Sequence, residues 1–237
     1  MKIIMPMAGL GSRFKNSDYS LPKPLIMVED KPMFLKSLES IDGINYSDIY
    51  FIVKREHDLK HAISDIIKKN VPNSHVFLVD DTPNGQLMSI LSIEEKINKD
   101  EDLLIISSDT LVVSNLKKKV LSLPESYKGL ISLINKKGDQ WSFAKINSSG
   151  DVTEVAEKKR ISSLASTGIY YFKNGKEFVK LSKKIIKKKI KVNDEYYVMP
   201  VYQEYINAKF KISSSIAKEM WDMGTPKSLK EFLNKKQ

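Results

Sequence analysis

The sequence predicts an α/β protein: a Rossmann-like layered mixed sheet, mostly parallel, flanked by helices, with added antiparallel strands in its second half. Three observations carry this. Short apolar, β-branched runs recur through the first half. Amphipathic stretches with apolar residues at three- and four-residue steps alternate with them, and that alternation implies parallel strands joined by crossover helices. In the second half the texture changes to shorter strand-like runs joined by turn residues.

In order along the chain, KIIMPMA (2–8), DIYFIV (48–53), SHVFLV (74–79) and DLLIIS (102–107) are the buried strands. The helical stretches between them are KPMFLKSLESI, EHDLKHAISDIIKKN and GQLMSILSIEEKI. Ligands of such sheets gather beyond the carboxyl ends of the strands, where the MAGLGSRF turn and the SSDT turn at Ser107–Thr110 fall. GLISLINK, SFAKINSSGDVTEVAEK and STGIYYF supply the later strands, with Asn147-Ser148-Ser149-Gly150 as one turn. No linker rich in Pro, Gly or Ser divides the halves, so residues 1–237 are expected to form a single domain.

The 237 residues are 41% hydrophobic and 29% charged, which supports a packed core and excludes a disordered chain. No apolar run approaches the roughly 18 residues of a membrane span, and the amino terminus does not resemble a signal peptide. The absence of cysteine excludes disulfides and thiolate metal sites. A cytoplasmic location is expected. The net charge of +10 raises the possibility of nucleic-acid binding. Its densest basic run, Lys183–Lys191, carries Ile185 and Ile186 and continues a helical pattern from Phe178 and Leu181. The lysines therefore cover the solvated face of an amphipathic helix. Neither nucleic acid nor membrane is the expected partner, and the charge favours small anionic substrates.

The chemistry starts at MPMAGLGSRFKNSDYSLPKP, residues 5–24. Gly9 and Gly11 follow the first strand, where bare backbone N–H groups can approach a phosphate. Position 14 is Phe, so the dinucleotide fingerprint is incomplete, and no Walker loop is present. Instead, Arg13 offers a planar bidentate cation, and Lys23 is held between Pro22 and Pro24. Two cations beside bare amides suit a triphosphate. The histidines His57, His61 and His75 are expected at the surface rather than in catalysis.

G-x-G-S-R-F followed by P-K-P-L-I resembles the signature of the sugar-phosphate nucleotidylyltransferase superfamily, and the likeness covers essentially residues 1–233. The resemblance implies Mg2+-dependent transfer of a nucleotidyl group from a nucleoside triphosphate to a phosphorylated small-molecule acceptor. It casts Arg13 and Lys23 as catalytic cations and brings Met7, Ala8, Gly9, Gly11, Ser12 and Ser108 to the nucleotide. It makes Asp109 of IISSDT and Asp222 of WDMGTP the metal ligands. Glu157-Lys158 of VAEKK and Thr167-Gly168 of STGIYYF would line the acceptor site. Tyr196 and Tyr197 either border that site or pack in the core.

VDDTPNGQLMS (79–89) corresponds to the family's base-recognition loop, with Gly85 as its glycine and Gln86 or Ser89 facing the nucleoside. Related uridylyl- and thymidylyltransferases carry a glutamine where this chain has Asp80 and Asp81. A carboxylate only accepts hydrogen bonds and so pairs with the exocyclic amino group of cytosine. CTP is therefore the expected nucleotide, with a helix-capping role for the same carboxylates as the alternative. The later segments resemble a capsule- or surface-glycan-associated branch, one member of which transfers CMP to phosphoglutamine. A sugar-1-phosphate uridylyl- or thymidylyltransferase is the first alternative, and a non-catalytic nucleotide- or nucleic-acid-binding protein the second. A glycosyltransferase is disfavoured because Thr110-Leu111 follows Asp109, leaving no D-x-D motif. Oligomeric state is not legible in these residues.

Overall fold

The computed structural model describes residues 1–14 and 19–235, so residues 15–18 of the opening motif and the last two residues lie outside the described residues. Strand β1 (Lys2–Pro6) is followed by a small hairpin, β2 (Met27–Val28) and β3 (Lys31–Pro32), and by α1 (Met33–Leu38). Strand β4 (Asp48–Lys54), helices α2 (Arg55–His61) and α3 (Ile63–Asn70), and β5 (Ser74–Val79) complete the first crossovers. Next come α4 (Gln86–Leu91), α5 (Glu94–Ile97), β6 (Leu103–Ile106), β7 (Thr110–Val113) and α6 (Leu116–Leu121). The second half runs β8 (Tyr127–Asn135), β9 (Ser142–Ile146), β10 (Val152–Glu157), β11 (Leu164–Phe172) and α7 (Gly175–Lys187). It ends with α8 (Met199–Asn207), β12 (Lys211–Ile216), β13 (Glu219–Asp222) and α9 (Pro226–Lys235).

β6, β1, β4 and β5 lie side by side and parallel. The interiors of β1, β4 and β6 are buried on both faces, as in KIIMP and DIYFIVK, because helices cover both sides of the sheet, while the edge strand β5 is half-buried. β11 pairs antiparallel with both β6 and β8, and β12 runs parallel to β8. In this main row β11 is thus the reversed strand, while the antiparallel β9–β10 hairpin attaches at its amino end. The fold class matches the expectation, with the parallel character reaching further into the second half than the texture of the sequence suggested.

Two helical stretches are interrupted. Residues 56–70 break at Ala62, whose left-handed backbone (φ 49) closes α2 by donating its N–H to Asp58 O. Residues 85–97 break at Ser92–Ile93, separating α4 from α5. Apolar periodicity continues across both breaks, so it does not mark them.

Helix α7 buries Phe178, Val179, Leu181 and Ile185 and turns its lysines outward. Lys184 and Lys188 pair with the buried Glu204 of α8. The basic run is therefore a solvated face with a structural anchor. Among the described residues, no helix is long and apolar enough to cross a membrane. His75 is exposed and pairs with Asp48, while His57 and His61 are half-buried on α2.

Candidate functional site

A cleft of about 410 Å3 opens beyond the carboxyl ends of β1 and β6. Ala8, Gly9, Gly11, Ser12 and Arg13 line it from the turn after β1. Gly11 adopts φ 59 and accepts Phe14 N–H on its carbonyl, which makes the turn tight. Met7, expected at the nucleotide, is instead 3% exposed, in the apolar core. Its N–H donates to Ile52 O, continuing the ladder toward β4 and turning its side chain inward.

Lys23 enters the same cleft from a short helical turn that begins after Pro22. Its ammonium donates to Asp109 Oδ2 at 2.6 Å, and the two side chains are 21% and 19% exposed. Burial pushes the Asp109 carboxyl up, but the Lys23 ammonium, aided by Arg13, outweighs it and holds the group below its ordinary value. Asp222 sits at the end of β13, which pairs with β7 so that Asp222 lies opposite Thr110. Its pKa is raised, first by burial and then by the neighbouring Asp109 charge. The two carboxylates converge over Gly224: a Cβ there would lie 2.8 Å from Asp109 Oδ2 and 2.9 Å from Asp222 Oδ1. Asp222 also accepts the Gly224 N–H, while Thr225 rather than Asp222 caps α9 by accepting Ser228 N–H.

Among the described residues no cluster of three or more His, Asp or Glu gathers for a metal. The pair nevertheless fits a hard cation such as Mg2+, which takes one or two carboxylates and completes its shell with water and phosphate oxygens. Two mutually repelling carboxylates, one already bearing an ammonium, are a donor set that calls for positive charge.

The base loop is placed differently from expectation. Asp80 is exposed and ion-paired with Arg55 at the start of α2, and neither Asp80 nor Asp81 lines the cleft. The reading of these carboxylates as cytosine contacts is corrected accordingly: Asp80 faces along the outer surface, toward a cation from the preceding crossover. Thr82, Pro83, Gly85, Gln86 and Ser89 face the cleft instead. Gly85 has φ 94, and a Cβ would meet Tyr196 O at 2.4 Å, so only glycine fits.

Ser107 and Ser108, after β6, line the cleft beside Asp109. Thr167 does not face it. Its fully buried hydroxyl donates to Ser132 O, because the register of β11 shifts between Ser166 and Tyr170 and turns that side chain into the core. Gly168, at φ 82, accepts from Ser107 N–H, and a Cβ would lie 2.3 Å from Ser107 Oγ. The Thr167-Gly168 segment therefore shapes the Ser107 turn rather than presenting a side chain to an acceptor.

At the far end of the site, Glu157 accepts from Ser142 Oγ at 2.5 Å and is pushed up by burial. Lys158 donates to the Tyr197 hydroxyl and lies 4.5 Å from that ring's centroid. Tyr197 in turn donates to Glu195, and both residues line the cleft. Tyr196 is buried in the core, so the two adjacent tyrosines divide between the two expected roles. Leu10, Thr82 and Glu195 are cleft residues that sequence reasoning missed; the charged run NDEYY was the signal for Glu195.

A sequence profile described as nucleotidyl transferase matches residues 2–237. A mannose-1-phosphate guanyltransferase of Pichia angusta is 23% identical over 159 residues, 67% of this chain and 44% of that enzyme. The chain thus spans less than half the length of that relative. A UTP–glucose-1-phosphate uridylyltransferase of Haloferax volcanii is 23% identical over 180 residues, 73% of this chain and 72% of its own. Among solved structures, a nucleoside-diphosphate-sugar pyrophosphorylase of Vibrio cholerae superposes with TM-score 0.82 at 23% identity, covering 98% of this chain and 99% of that one. An inositol-1-phosphate CTP transferase of T. maritima gives 0.76 at 13% identity, covering 99% and 95%. At these identities the structural likeness shows the fold.

Proposed function

Because the chain belongs to the nucleotidyl transferase family, we propose that it is a metal-dependent nucleotidylyltransferase acting on a phosphorylated small molecule. One observation carries the reading: the glycine turn, Arg13, Lys23 and Asp109 line a single cleft, and Asp222 converges on Asp109 at its edge. An acceptor phosphate oxygen forms a bond to the α-phosphorus of the nucleoside triphosphate, and the α–β bridging oxygen leaves with pyrophosphate. A phosphate dianion is already a nucleophile, so the protein's work is positioning and charge neutralisation.

The backbone after β1 cradles the phosphates, and Arg13 neutralises their developing charge. Lys23, released from Asp109, meets the α-phosphate. Lys158 draws in the acceptor phosphate. Asp109 and Asp222 would hold Mg2+, which when bound offsets charge on the phosphate oxygens. The base is read by the surface of Thr82, Pro83, Gln86 and Ser89. CTP remains the first nucleotide to test, now on the resemblance to the capsule-associated branch alone, with phosphoglutamine as its matching acceptor.

The test is pyrophosphate release with Mg2+ and CTP, UTP, dTTP, ATP or GTP singly, against sugar 1-phosphates and phosphorylated amino-acid amides. Release with one nucleotide and one acceptor class supports the reading and assigns both substrates. A nucleotide-induced rise in Tm with no release across the panel would replace it with a binding protein.

A further inference from the structure

The ammonium of Lys158 stands at the end of a four-carbon stem that by itself samples many rotamers. Its backbone is unusual, with φ 51 in the left-handed region, and its N–H donates to Trp141 O across the β9 side. The other end of the side chain is held by Tyr197, through its hydroxyl and through the ring face. Glu195 determines how that hydroxyl is used. A carboxylate accepts only, so the phenol proton points to Glu195 and the phenol oxygen is left to accept from Lys158.

The segment bearing these residues is itself rigid. Val192 and Glu195 exchange both backbone hydrogen bonds around Asn193 and Asp194, which both adopt left-handed backbone (φ 48 and φ 61). That is the two-residue turn whose twist suits a tight hairpin. The next residue, Tyr196, donates its N–H to Asn84 O at 3.1 Å and accepts Leu87 N–H at 3.0 Å. One short strap therefore touches the base loop through backbone and the Lys158 ammonium through side chains.

We propose that Tyr197, backed by Glu195, is a positioning residue that sets the Lys158 ammonium for the acceptor phosphate and couples it to nucleotide binding at residues 82–89. The proposal rests on the nucleotidylyltransferase reading for the identity of the acceptor group, and not for the hydrogen-bond chain itself.

The experiment compares Tyr197→Phe, Glu195→Ala and Glu195→Gln with the wild type, using the substrate pair found by pyrophosphate release. Tyr197→Phe and Glu195→Ala are expected to raise KM for the acceptor roughly tenfold, leaving kcat and the nucleotide Kd measured without acceptor within about twofold. Glu195→Gln, whose side-chain carbonyl still accepts from the phenol, is expected to restore the wild-type KM. Acceptor binding measured by calorimetry should tighten with nucleotide in the wild type and lose that tightening in Tyr197→Phe. Unchanged acceptor KM in Tyr197→Phe, or equal losses for both substrates with a lowered Tm, would overturn the proposal. If the wild type turns over no pair, the transferase reading falls first. The strap is then judged by calorimetry with inorganic phosphate, where weaker binding in Tyr197→Phe and Glu195→Ala but not Glu195→Gln sustains it, and equal binding in all four sinks it.

Discussion

The two ends of the cleft are built by different means. At the proposed nucleotide end, the lining comes from contiguous stretches at the ends of parallel strands: residues 8–13 after β1, Lys23 shortly after, and Ser107–Asp109 after β6. Glycines and backbone N–H groups dominate there. At the proposed acceptor end the groups come from three separate places, Ser142, Glu157-Lys158 and Glu195–Tyr197, and they touch through side chains. On the proposed reading, a phosphate chain common to all nucleoside triphosphates is met by local backbone, and a variable acceptor by long-range assembly.

The largest expected effect lies at the nucleotide end. Asp109→Asn removes the carboxylate that carries Lys23 and faces Asp222, so kcat/KM should fall by roughly 10³-fold. Its far-UV circular dichroism should be unchanged, while its Tm falls, since the Lys23 ammonium is left largely buried without its partner. Normal turnover by this variant would dissolve the contrast between the ends.

Gly85→Ala tests the seam between them. The added methyl meets Tyr196 O at a backbone angle that disfavours it, at a cost of about 1–3 kcal/mol. A fall in Tm of roughly 3–10 °C is expected by calorimetry, together with weaker nucleotide binding.

Asp109 and Glu157, one from each end, respond oppositely to pH. Asp109 has a depressed pKa, so its contribution is present above its unfolded value of 3.8 and lost as pH falls through the folded one. Glu157 is raised by burial, so its contribution is full below its unfolded value of 4.5 and lost as pH rises through the folded one. Glu157→Gln should therefore flatten the decline in urea-unfolding stability on going upward from pH 4.5. An unchanged slope would mean that burial is not what governs this carboxyl.

The smallest effect is a null. Asp80→Asn with Asp81→Asn should leave nucleotide preference unchanged and activity within about twofold, because Asp80 faces Arg55. A switch of base preference in the five-nucleotide assay would return the carboxylates to the site.

The same contrast explains what was legible. Gly9, Gly11, Arg13, Lys23 and Asp109 stand in short stretches whose spacing and strand context place them, and the structure gathers them. The four early strands were readable for a similar reason, as short apolar runs, of which β1, β4 and β6 are buried on both faces and β5 half-buried. Asp80 misled because its partner Arg55 lies 25 residues earlier, and nothing local announces a pair across a crossover. Thr167 misled because a register shift in β11 decides which way its side chain points. Glu195 was missed because its place depends on a turn of two left-handed residues that are neither of them glycine.

Lys23 on Asp109 has one more consequence. The negative charge of the two converging carboxylates is partly offset from within the chain, since the Lys23 ammonium rests on Asp109 at 2.6 Å while Asp222 still feels the Asp109 charge. On the reading proposed above, the cation that the chain keeps on Asp109 at rest is the same one that it would turn toward the substrate.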